Sequence, residues 1–143
     1  MTNFEKCAVI TEEICKKIEP GKKKVQKLLY LIERKGVDLQ LNYSIHYFGP
    51  YSAKLDNTLH EMESFGAITI DTTGKTHVIR LGDLPISKKL ESNEQNEINY
   101  VFDNFLQKTP LELEAITTID YAATKILNKG AGDNDIINQV KKI

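Results

Sequence analysis

Apolar residues return every three or four positions along most of this chain, and that spacing predicts a mostly helical protein. Phe4, Cys7, Ala8, Ile14, Cys15 and Ile18 form one stripe on a helix over residues 3–18. Glu19-Pro20-Gly21 ends it, since proline lacks a backbone donor and disfavours a helical residue before it. A second helix is predicted over 23–35, with Val25, Leu28, Leu29 and Ile32 at i, i+3, i+4 and i+7 and Gly36 at a natural C-terminal stop. The period then changes. Tyr43 to Phe48 is short and rich in β-formers, so it reads as a strand, which Gly49-Pro50 breaks. A third helix follows from Ser52 to about Ser64, with Leu55, Leu59, Met62 and Phe65 on one face and Gly66 beyond. Residues 67–81 alternate as a hairpin does: Ile68 and Ile70 against Thr69 and Asp71, a turn at Thr72-Thr73-Gly74-Lys75, and Ile79 and Leu81 facing inward.

A connector containing Pro85 spans 82–91. Ser92 with Gln95 has the form of a capping box and opens a helix carrying Ile98, Val101, Phe102, Phe105 and Leu106. Thr109-Pro110-Leu111-Glu112 is a stronger start, combining a cap, proline at the first helical position and a glutamate three residues on. That helix should run to about Asn128, and a short last one from about Asp133 carries Ile136, Val140 and Ile143. The fold class expected is α+β: one mostly helical domain with a winged-helix-like strand and β-hairpin, plus C-terminal helices. In that comparison residues 52–64 are the third helix and 67–81 the wing. Residues 1–81 form the main unit, and 82–143 a helical extension packing on the same domain.

With 143 residues, 41% hydrophobic and 27% charged, the chain has the size and mixture of one ordinary globular domain. A net charge of −1 argues against duplex DNA as the main partner, which usually calls for a basic excess. The charge is unevenly placed: residues 1–50 carry nine basic and six acidic groups, a net of +3, whereas 91–143 carry five and nine, a net of −4. Such asymmetry suits a charged protein surface, or one half packed on the other. Cys7 and Cys15 sit eight apart on one helix, roughly 12 Å along its axis, too far to pair with each other, so both read as buried thiols. No apolar run approaches the ~20 residues of a membrane span, and Met1–Lys6 lacks the pattern of a signal peptide. The expectation is a cytoplasmic protein.

No catalytic set stands out. His46, His60 and His77 fall on three different elements, none at metal-ligand spacing, and no phosphate loop or nucleophile elbow is present. The chain is therefore read as a non-enzyme without metal or cofactor; an enzyme would need a pocket joining one of these histidines to a carboxylate. Lys22-Lys23-Lys24, with Lys27 one turn later, place cations where the helix dipole opposes them. Such an end can bind an anion, although a solvated lysine cluster is the simpler reading. On the third helix, Asp56, Glu61 and Glu63 would repel phosphates and no arginine is available for guanine, which weakens a DNA-binding reading.

The strongest local signal is His46-Tyr47-Phe48-Gly49-Pro50-Tyr51-Ser52. Glycine frees one backbone angle, proline fixes the next, and Ser52 can cap the helix that follows. Its aromatics serve either as core or as a partner-binding patch.

Two segments resemble a known family. Lys24-Val25-Gln26-Lys27-Leu28-Leu29-Tyr30 is similar to the K-x-Q-K-L-L-Y segment of the Panacea, or SocA-like, antitoxin domain, and Tyr47-Phe48-Gly49-Pro50-Tyr51-Ser52 to its Y-G-P-Y/V-S corner. Leu55, Leu59, Met62, Gly66 and Ile68 resemble its continuation. The resemblance covers about residues 1–81, is nearest a YwgA-like bacterial branch, and lacks the tryptophan many members carry near the corner. It implies a bacterial, often prophage-borne protein that neutralises a toxin encoded by an adjacent gene through direct binding. The partner-binding residues it implies are Lys24, Lys27, Tyr30, Tyr47, Phe48, Gly49, Pro50, Tyr51 and Ser52. A winged-helix DNA-binding regulator is the alternative, and self-association stays open.

Overall fold

The computed structural model describes residues 1–128. The chain is a single α+β domain of helices and two small antiparallel hairpins, in the order α1 (Asn3–Lys17), α2 (Lys22–Arg34), β1 (Ser44–His46), β2 (Gly49–Tyr51), α3 (Ala53–Phe65), β3 (Ile68–Asp71), β4 (Val78–Leu81), α4 (Ser92–Phe105) and α5 (Pro110–Asn128). The helix expected from Asp133 lies outside the described residues.

The helix boundaries follow their caps. Thr2 and Glu5 exchange side-chain bonds with each other's backbone N–H to open α1. Thr109 and Glu112 do the same at α5, at 2.9 and 3.1 Å. The Ser52 hydroxyl accepts from the Leu55 N–H at 2.9 Å and starts α3, and Gly66 ends that helix at φ 87°. At α4 the expectation is corrected: Glu91, not Ser92, occupies the cap and makes no side-chain cap bond. Gln95 turns away to the carboxylate of Glu13 on α1.

α2 is the spine of the molecule. The i, i+3, i+4 pattern finds its apolar stripe, yet Gln26, Lys27, Tyr30 and Leu31 are buried as well. They are buried because α1, α4, α5 and β2 all pack against this one helix. Cys7, Ile10 and Ile14 of α1, Leu55, Leu59 and Met62 of α3, and Ile98, Val101 and Leu113 of α4 and α5 complete one core. Cys7 is buried and Cys15 half-buried, both free, and burial pushes each thiol up to about 12. Two residues predicted to face inward do not. Phe65 is largely exposed, edge-on to Phe4, and Leu81 lies open at the end of β4.

The uneven charge is consumed largely between elements. Lys23 and Arg34 of α2 pair with Glu114 and Asp120 of α5, Lys35 with Glu97 of α4, and Lys6 of α1 with Glu94 of α4.

β3 and β4 pair from Ile68–Leu81 to Asp71–Val78, so their loop runs from Thr72 to His77, wider than the predicted four-residue turn. A bridge between Gly21 and Val78, with the Lys22 N–H on the His77 carbonyl at 2.9 Å, ties this hairpin to the start of α2. The corner differs more. Gly49-Pro50 does not end a strand; it begins β2, which folds back on β1 with His46 opposite Gly49 and Ser44 opposite Tyr51. Tyr47 and Phe48 form the turn.

Candidate functional site

The two segments that carry the family resemblance are in direct contact. The Gln26 side chain donates to the Ser52 carbonyl at 2.8 Å and accepts from the Ser52 N–H at 2.9 Å. Lys27 donates its ammonium to the Pro50 carbonyl at 2.7 Å. The Tyr43 hydroxyl donates to the Gln26 carbonyl at 2.7 Å, and the Ser52 hydroxyl to the Leu41 carbonyl. A strand only three residues long has few ladder bonds of its own, so α2 side chains supply the remainder. Gly49 is held at φ 87° so close to α5 that a Cβ there would meet Thr118 Oγ1 at 2.6 Å.

This clasp thrusts the turn outward. Tyr47 is 98% exposed and Phe48 63% exposed, with the Lys23 ammonium 4.3 Å from the centre of the Phe48 ring. On one side of the turn lies a cavity of about 850 Å³ between the first turn of α2, the corner and the β3–β4 loop. Lys22, Lys23, Lys24, Lys27 and Lys75 line it, together with His46, His77, Tyr51 and Asp56. Asp56 is engaged, at 3.0 Å from Lys22 and 3.6 Å from His60. Lys27 is 2% exposed, and burial, aided by the charge of Lys23 and opposed by Glu114, pulls its ammonium down to about 8. Burial also lowers Lys24. On the other side of Tyr47 lies a smaller groove of about 320 Å³ formed by Gly49 and by Leu111, Ala115, Thr118 and Ile119 of α5.

Of the residues implied by the resemblance, only Tyr47 and Phe48 are exposed; Lys24 and Tyr51 are half-buried. Lys27, Gly49, Pro50 and Ser52 are buried and hold the turn in place. Tyr30 is buried too: its hydroxyl donates to Asp120 of α5 at 2.6 Å, beside an Arg34–Asp120 contact of 2.8 Å, and burial raises its pKa. The structure adds residues that sequence reasoning did not assign to a site. Gln26 was visible inside its motif, whereas Leu111 and Ile119 were read only as part of a helix. His46 and His77, on separate elements, do share the larger cavity, although no group of three metal-binding side chains forms among the described residues.

No helix among the described residues is long and apolar enough to cross a membrane. No family model matches the chain. It is similar to a Thermus aquaticus protein named DNA ADP-ribosyl glycohydrolase, with 26% identity over 129 residues, 79% of this chain and 32% of that protein. The chain thus spans about a third of the length of the curated relative it matches.

Proposed function

We propose that this chain is a protein-interaction module of the antitoxin kind, binding a toxin encoded by an adjacent gene and neutralising it through direct contact. The observation that carries the reading is the paired exposure of Tyr47 and Phe48 on a turn held in place by the buried Lys27, Gly49, Pro50 and Ser52. Leu111 and Ile119, 72% and 50% exposed, continue the same apolar surface along α5. Contiguous exposed apolar surface on a folded domain costs solubility and typically marks an interface, where aromatic anchors carry much of the energy. The Panacea-like motifs supply the kind of partner. The match to one part of a longer relative suits a module that recurs in different chains, and we assign this segment binding, not hydrolysis.

The test is co-purification of the chain with the adjacent gene product, and rescue of growth when the two are expressed together. Tyr47→Ala with Phe48→Ala should abolish both while leaving the melting temperature unchanged. A partner that binds the double variant as well as the native chain removes this surface from consideration; no binding and no rescue by any neighbouring product removes the antitoxin reading.

One observation favours a second reading. The Gly21–Val78 bridge adds the segment between α1 and α2 to the β3–β4 hairpin, as in a winged helix, with Lys75 at the wing tip. A DNA-binding regulator of this kind would bind its own promoter with strong salt dependence. Asp56, Glu61 and Glu63 on α3 weigh against it.

A further inference from the structure

Five lysines line the larger cavity, and they are not equivalent. Lys22 and Lys23 have carboxylate partners, Asp56 and Glu114. Lys24, Lys27 and Lys75 have none within 4.0 Å among the described residues. Lys27 is the unusual member: a side chain 2% exposed whose three donors meet one neutral acceptor, the Pro50 carbonyl. A buried charge is ordinarily matched by an opposite one, because desolvation otherwise costs several kcal/mol. Here no carboxylate of the described chain comes within 4.0 Å, and Glu114, which pairs with Lys23, offsets the burial only in part. The same cavity receives the opening turn of α2, whose cap Gly21 contributes no side-chain bond. Lys22 N–H reaches His77 and Val25 N–H reaches Gly21, so the amides of Lys23 and Lys24 are left without a backbone acceptor. Facing this cationic floor are flat apolar surfaces, Phe48 and the Tyr51 ring, the latter 4.9 Å from that of His46.

We infer that this cavity binds a free nucleotide, with its phosphates on Lys24, Lys27, Lys75 and the first-turn amides of α2 and its base against the aromatic wall. The cavity volume is that of a small-ligand site, and three unmatched ammonium groups suit a diphosphate better than a single phosphate. Phosphate on a helix N-terminus draws on both the free N–H groups and the dipole. The site shares Tyr47 and Phe48 with the surface that the toxin reading uses but none of its α5 residues Leu111 and Ile119, and the lysine variants that test it leave both rings in place.

Isothermal titration of the full chain with ADP, AMP, adenosine and pyrophosphate tests it. ADP is expected to saturate, AMP to bind about tenfold more weakly, and adenosine not to saturate at all. Pyrophosphate should bind more weakly than ADP because it lacks the base. Lys24→Gln and Lys75→Gln, both at the cavity rim, should each weaken ADP about tenfold with the melting temperature unchanged. ADP that fails to saturate at millimolar concentration overturns the inference, as do Lys24→Gln and Lys75→Gln proteins that bind ADP like the native chain. A 20-base-pair DNA duplex run in parallel separates the remaining case: duplex binding without ADP binding assigns the lysines to nucleic acid instead.

Discussion

Gln26 and Ser52 meet as two strands would, through a pair of hydrogen bonds of 2.8 and 2.9 Å between one side-chain amide and one backbone unit. Both residues are buried, so neither Ser52 group has water to fall back on. Gln26→Leu should therefore cost about 2–5 kcal/mol in urea unfolding, since two buried backbone groups lose their partners. A Gln26→Leu protein with the native urea midpoint would show that the clasp contributes nothing.

Gly49 carries two separate penalties against a side chain. Its φ of 87° strains an L-residue, and its Cβ would collide with Thr118 Oγ1. Gly49→Ala is expected to lose about 1–2 kcal/mol from the backbone alone, with more from the clash. Adding Thr118→Ala removes the collision and not the strain, so a double-mutant cycle should recover part of the loss and never all of it.

Lys27 makes stability depend on pH in an unusual direction. Its folded pKa, about 8, lies below the ~10.4 of a free lysine, so between those values the unfolded chain binds more protons and stability rises with pH. Below about pH 8 both states are protonated and the burial cost, about 3 kcal/mol, is fully present. Lys27→Met removes this titration. The stability of the native chain relative to Lys27→Met should climb between pH 8 and 10.5, and a flat difference across that range contradicts the assignment.

Asp120 joins α5 to α2 by accepting from both Tyr30 and Arg34. Asp120→Ala leaves the buried Tyr30 hydroxyl without its acceptor, at about 1–3 kcal/mol. Tyr30→Phe, which removes the hydroxyl itself, should cost less. Limited proteolysis reads the location of the damage: cleavage is expected first within α5, and unchanged digestion would place its anchorage elsewhere.

Helices were legible because an apolar stripe and a cap are local statements. Ser52, Thr109 and Gly66 act where their sequence context puts them. The β1–β2 hairpin was not legible, because its strands depend on side chains of α2 for bonds that a longer ladder would supply itself. Lys27 was read as solvated for a similar reason: nothing next to it in sequence announces that four elements close over α2. The cavity escaped notice because Lys24, His46 and Lys75 come together only when the β3–β4 loop docks beside the start of α2. Pairwise spacing sees one element at a time, and both candidate surfaces lie between elements.

The bonds that tie Pro50 and Ser52 to α2 have an entropic consequence for whatever meets the turn. An unsupported loop must be ordered on capture, at about 1–2 kcal/mol for each residue fixed. Here the backbone that carries Tyr47 and Phe48 is already bonded to α2, on which α1, α4, α5 and β2 all pack. A partner finds the two rings on a finger set before it arrives, and most of the contact energy is left to hold the complex together.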